Sequence, residues 1–191
     1  ILNSSLNVTG ATYLSDNLTV SGSSTLLSNL NVSGNTILTG SLDVTGPTIL
    51  NSSLNVTGAT YLSDNLTVSG SSTLLSNLNV SGNTILTGSL DVTGPTILNS
   101  SLNVTGATYL SDNLTVSGSS TLLSNLNVSG NTILTGSLDV TGPTVLNGSL
   151  NVTGATYLSD RLTVSGSSTL LSNLNVSGNT ILTGSLDVTG P

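Results

Sequence analysis

Along SLNVTGATYLSDNLTVSG, residues 5 to 22, apolar and polar side chains alternate: Leu6 and Val8 bracket Asn7, and the same order returns at Leu18, Thr19 and Val20. A period of two places successive side chains on opposite faces of an extended chain, which is the pattern of a strand. Composition opposes a helix as well. Thr and Val are frequent, Glu, Lys and Gln are absent, and a Gly at every twelfth residue would interrupt any helix longer than three turns.

Aligning the chain in steps of 12 stacks ILNSSLNVTGAT, YLSDNLTVSGSS, TLLSNLNVSGNT and ILTGSLDVTGPT. Across sixteen such units, positions 2 and 6 are always Leu, position 8 is Val and position 10 is Gly. Four units make a 48-residue super-repeat, and residues 1–48 recur unchanged as 49–96 and 97–144. The fourth copy, 145–191, departs only at Val145, Gly148 and Arg161, which stand where the first copy has Ile1, Ser4 and Asn17.

The expectation is one repetitive all-β region over 1–191, with two short strands per unit, roughly positions 5 to 9 and 11 to 3 of the next. Gly10 marks one corner, where positive φ is available to it. Position 4 (Ser, Asp or Gly) marks the other. Strands this short cannot form a domain alone, so each unit must bury its Leu and Val against the next. The predicted fold is an elongated β-solenoid, triple β-helix or β-spiral fibre. If each unit were one turn, sixteen turns at about 4.8 Å would give a rod of roughly 75 Å.

With even positions inward, the interior receives Leu2, Leu6, Val8 and Thr12. Three apolar residues per unit hardly offset the ordering entropy of twelve, so a lone chain is expected to be marginal. The odd positions add Ile1, Tyr13, Thr25 and Ile37 at position 1, and Leu27 at position 3. Read as a stripe at one angular position, these predict a second buried surface, most simply in a parallel homotrimer.

Charge narrows the partners. A formal net charge of -7 with Arg161 as sole Lys or Arg leaves nothing to neutralise phosphates, so neither nucleic acid nor an anionic membrane surface is expected. No apolar run exceeds two residues, far below the roughly 20 a spanning helix needs, so no membrane insertion is predicted either. The chain opens on Ile1 rather than Met, which leads us to expect a segment of a longer protein. Absence of Cys excludes a disulfide framework and leaves the compartment open.

Catalytic chemistry has little to work with. Without His, Cys, Lys or Glu, acid-base work would fall on Asp, and Asp16 and Asp43 occupy different units at positions 4 and 7. No enzyme, cofactor or metal site is expected; calcium needs several converging oxygens. Asp16 reads instead as a corner residue, where a short polar side chain caps the turn. Asn3-Ser4-Ser5, Asn7-Val8-Thr9, Asn17-Leu18-Thr19 and Asn31-Val32-Ser33 match the glycosylation tripeptide, which arises readily by chance in so Asn- and Ser-rich a chain. An ice-binding face would need ranks of Thr-x-Thr. Positions 7 and 9 read Asn-x-Thr, Thr-x-Ser, Asn-x-Ser and Asp-x-Thr, so that rank is broken.

Phrases such as LNVSGNTILTGSLDVTGPTIL resemble the L-x-V-x-G-x-T repeats in shafts of phage and giant-virus tail fibres and related bacterial surface fibre proteins. The resemblance covers the whole chain and implies a trimeric β-helical or β-spiral stalk, extracellular or on a cell or virion surface. It further implies self-association as a homotrimer, with receptor contact through regions outside this sequence; exposed strand edges at the ends of the stack would separately promote end-to-end addition into longer filaments. The expected function is a rigid spacer between an anchor and a receptor-binding tip. The alternatives are an ice- or glycan-binding repeat module and an artificial repeat scaffold.

Overall fold

A computed structural model describes residues 1–190. Strands form where apolar and polar positions alternate, and each is three residues long: 31 of them run from β1 (Leu6–Val8) to β31 (Leu186–Val188). Two kinds take turns. Odd-numbered strands are Leu-x-Val and even-numbered ones are Thr-x-Leu or Ser-x-Leu.

Each strand from β1 to β28 pairs in parallel with the third strand after it. Thus β1 lies against β4 (Ser24–Leu26), with Leu6 opposite Ser24 and Val8 opposite Leu26. The same offset of 18 separates the corner partners Asn17 and Asn35, so one turn holds three strands and three corners. Successive strands go to successive sheets, giving three parallel sheets of 11, 10 and 10 strands. The fold is an all-β parallel solenoid of about ten turns, and eleven strands at about 4.8 Å spacing span roughly 48 Å.

The expected two strands per unit and their alternation are present, but the turn is one and a half units long instead of one. The rod is accordingly shorter than sixteen one-unit turns would make it. The physical consequence of the half-unit offset is that each strand stacks on the other kind. On one sheet Leu6 meets Ser24, which meets Leu42, which meets Thr60. Beside that column Val8 meets Leu26, which meets Val44, which meets Leu62. A turn of one unit would have set Leu on Leu and Thr on Thr. Large over small keeps each column evenly filled, as close packing requires.

One chain closes this interior by itself. From Leu18 to Leu170 the inward Leu and Val side chains are 0–6% exposed with no second chain present. The inward Thr and Ser hydroxyls are buried with them, and Oγ1 of Thr36, Thr48, Thr60 and Thr84 has no hydrogen-bond partner. In the terminal turns Leu6, Val8, Leu174 and Val188 are only partly buried, since the turn that would cover them is missing there.

Corners are built by close approach rather than by unusual backbone angles. No glycine among the described residues has positive φ, contrary to the expectation for Gly10 and its equivalents. The reason for glycine is the turn below. A Cβ on Gly70 would lie 2.6 Å from the backbone nitrogen of Ser53 and 2.7 Å from the carbonyl carbon of Ser52. Corners are also tied by side chains. The Asn35 N–H donates to Oδ1 of Asn17 at 2.7 Å, and Asn83 and Asn131 repeat this bond on Asn65 and Asn113. Backbone bonds that would otherwise be lost where the strands end are thereby continued along the corner.

Candidate functional site

The middle residue of each strand points outward, so each sheet presents one column of outward side chains. On the sheet that begins with β1 this column reads Asn7, Thr25, Asp43, Tyr61, Asn79, Ile97, Thr115, Ile133, and then Asn151 again. The repeat is eight rungs. It follows from arithmetic: a super-repeat is two and two-thirds turns long, so three super-repeats make eight whole turns.

This displacement distributes the apolar outward residues around the rod. Tyr13 lies on the second sheet, Tyr61 on the first, Tyr109 on the third, and Tyr157 returns to the second. Ile49 and Ile85 flank Thr67 on one sheet, while Ile97 and Ile133 flank Thr115 on another. The stripe at one angular position that the sequence predicted is therefore not formed. It presupposed a turn of one repeat unit.

Three of the four tyrosines share the same rung neighbours. Tyr61 has Asp43 on the rung before it and Asn79 on the rung after it, and Asp91, Tyr109 and Asn127 repeat the order. So do Asp139, Tyr157 and Asn175; Tyr13 has Asn31 after it. Tyr61, Tyr109 and Tyr157 are 46–47% exposed and Tyr13 is 69% exposed. An open hollow beside Tyr61 is lined by Leu62, Ser63, Asn79 and Ser81, and its counterpart beside Tyr13 by Leu14, Ser15, Asn31 and Ser33. A third hollow lies at Ile37, between Asn35, Ser53 and Asn55.

The carboxylates stay apart. Asp16 sits at a corner, where its Oδ1 accepts from the Asn17 N–H at 2.7 Å, and Asp64, Asp112 and Asp160 do the same for the residue that follows each. This is the capping role that a short polar side chain at position 4 suggested. Asp43 is at a strand centre and exposed. No three acidic side chains converge among the described residues. Arg161 approaches Asp160 at 3.9 Å with both side chains open to solvent, a pair of little energetic weight. Of the glycosylation tripeptides, Asn7 and Asn31 are strand centres, whereas the Asn17 side chain is engaged in the corner ladder.

The tyrosine hollow was the feature that sequence reasoning missed. The signal was present, since Asp43, Tyr61 and Asn79 are evenly spaced along the chain. Only the length of the turn, equal to that spacing, brings them together. No family model matches the chain, and no curated protein or solved structure matches it.

Proposed function

We propose that the chain is a rigid structural shaft, a spacer that sets the distance between two other parts of an assembly. The observation that carries this reading is the uniform interior: every turn from Leu18 to Leu170 is filled by the same alternation, and no turn is built differently. A spacer needs each unit to do the same work, whereas a catalytic site requires one unit to differ. Parallel ladders bonded on both sides along the whole rod resist bending and leave few backbone groups open to a protease.

The repeat style, which resembles fibre shafts over the whole chain, supports a location outside the cell or on a virion. Association of three shafts side by side is part of this proposal. The inward residues need no second chain, so such a trimer would rest on the three outward faces. Each of these has a short apolar segment, Ile-Thr-Ile on two sheets and Val145-Thr163-Ile181 on the third.

The test is to exchange the outward strand-centre residues of 49–144 for Thr, sparing Tyr61, Tyr109 and their rung neighbours Asn79, Asp91 and Asn127 and keeping all inward and corner residues, within the longest chain that carries this shaft. A spacer predicts unchanged protease resistance, unchanged length by electron microscopy and unchanged attachment. Loss of attachment with length and resistance intact would overturn the spacer reading in favour of a binding module. Inserting three further repeat units should lengthen the rod by two turns, roughly 10 Å.

A further inference from the structure

We propose that the hollow beside Tyr61, whose lining residues recur in sequence around Tyr13, Tyr109 and Tyr157, is a weak binding site for one neutral pyranose ring of a glycan, so that the shaft grips sugars along its sides. Three observations lead there. Tyr61 offers a half-exposed ring on an otherwise flat, aromatic-free sheet, and an aromatic face is the surface on which the C–H groups of a sugar pack. The hollow next to it is lined by three polar residues, Ser63, Asn79 and Ser81. Among the described residues none of these three side chains has a hydrogen-bond partner, whereas the corner residues Asn17, Asn35 and Asn65 are committed to their neighbours. An apolar platform with a few free donors and acceptors in a concavity is the general form of a small-ligand site.

Charge selects the class of sugar. The Tyr61 rung is followed by Asn79 and preceded by Asp43, and the only Lys or Arg of the chain is the distant Arg161. A sialic, uronic or phosphorylated sugar would meet a carboxylate with no compensating cation. A neutral ring instead offers hydroxyls that Asp43, one strand spacing away, accepts. The same rung neighbours occur at Tyr61, Tyr109 and Tyr157, one per face, the last with Arg161 in the corner that follows, and successive copies are turned by a third of a revolution and advanced by about 13 Å. Each face therefore takes a separate glycan, and grip grows by multivalency rather than along one glycan strand. This inference does not depend on the spacer reading, since an inert shaft and a gripping one share the same interior.

The four tyrosines are the only aromatic residues, so their ring proton resonances are a reporter free of overlap from other aromatics. Titrating the full chain with the methyl glycosides of glucose, galactose and mannose up to about 50 mM should shift the rings of Tyr61, Tyr109 and Tyr157 saturably for at least one sugar, on the millimolar scale of a weak site. Glycerol at equal hydroxyl concentration serves as the control. Asn79→Ala should weaken the Tyr61 response about fivefold, the scale of one lost hydrogen bond, and leave Tyr109 unchanged. The outward position of Asn79 keeps that variant folded, which the unchanged spectrum of Tyr109 verifies. No saturable shift with any of the three sugars, an equal shift with glycerol, or an unaltered Tyr61 response in Asn79→Ala would each overturn the proposal.

Discussion

The inner and outer sides of the same strands obey different periods. Inside, Leu-x-Val strands alternate with Thr-x-Leu or Ser-x-Leu strands up every sheet, so the kind of strand returns after two turns. Outside, the order from Asn7 to Ile133 needs eight turns before it returns at Asn151. The inner side thus sets the shape, and the outer side is a message written round it. The difference teaches that a position can be repetitive in sequence and still land on all three faces, because the super-repeat is not a whole number of turns.

The harshest way to break this comparison is to disturb the inner alternation. Deleting residues 90–95, one strand and its corner, would set like strands on like at three junctions, with Leu78 on Leu102 and Thr84 on Thr108. Deleting 84–95 removes two strands and keeps the alternation. The shorter deletion is expected to be the more damaging, by about 3–6 kcal/mol from overpacking and voids, against about 1 kcal/mol for the longer. Chemical denaturation of both variants measures this, and equal losses would show that stacking of unlike strands is not what holds the turns.

Point changes sharpen the same contrast. Leu90, fully buried, should lose about 2–5 kcal/mol on truncation to Ala, whereas outward Ile97, 42% exposed, should lose less than about 1 kcal/mol. The columns of small residues give the opposite sign. Thr84 buries a hydroxyl with no partner, so Thr84→Val removes an unpaired polar group at nearly constant shape and should stabilise by about 1 kcal/mol. A lower denaturation midpoint for Thr84→Val would mean that the hydroxyl is satisfied after all.

Much of this interior was legible beforehand. Leu2, Leu6, Val8 and Thr12 follow from alternation, and the corners at Gly10 and Asp16 follow from turn chemistry. The turn length was not, because both halves of the repeat unit have the same geometry: three strand residues and a three-residue corner. The geometric period is therefore six and the chemical period is twelve. Alternation and propensity are blind to how many six-residue segments close a turn, which depends on how sharply each corner bends and how the columns fill. The role of the corner glycines was misassigned for a related reason. Gly22 is hemmed in by the backbone of Ser4 and Ser5 one turn away, which no local reading includes.

The smallest effect concerns the fourth super-repeat. Asn17, Asn65 and Asn113 each accept a backbone N–H from the turn above, and Arg161 stands in the same place without an acceptor. Arg161→Asn should restore that bond to Asn179 and add about 0.5–1 kcal/mol. Slower amide exchange at Asn179 in the variant is the direct check, and unchanged exchange would show that this corner is held by other means.

The claim on which everything above rests is the three-strand turn, one and a half repeat units long. Thr73 and Thr163 are strand centres on one sheet, five rungs apart. Spin labels on cysteines replacing both, in a chain that has no other cysteine, report their separation by pulsed electron resonance. Five rungs predict about 24 Å between the two backbone positions. A separation of about 36 Å, the value if each turn were a single repeat unit, would contradict the three-sided solenoid.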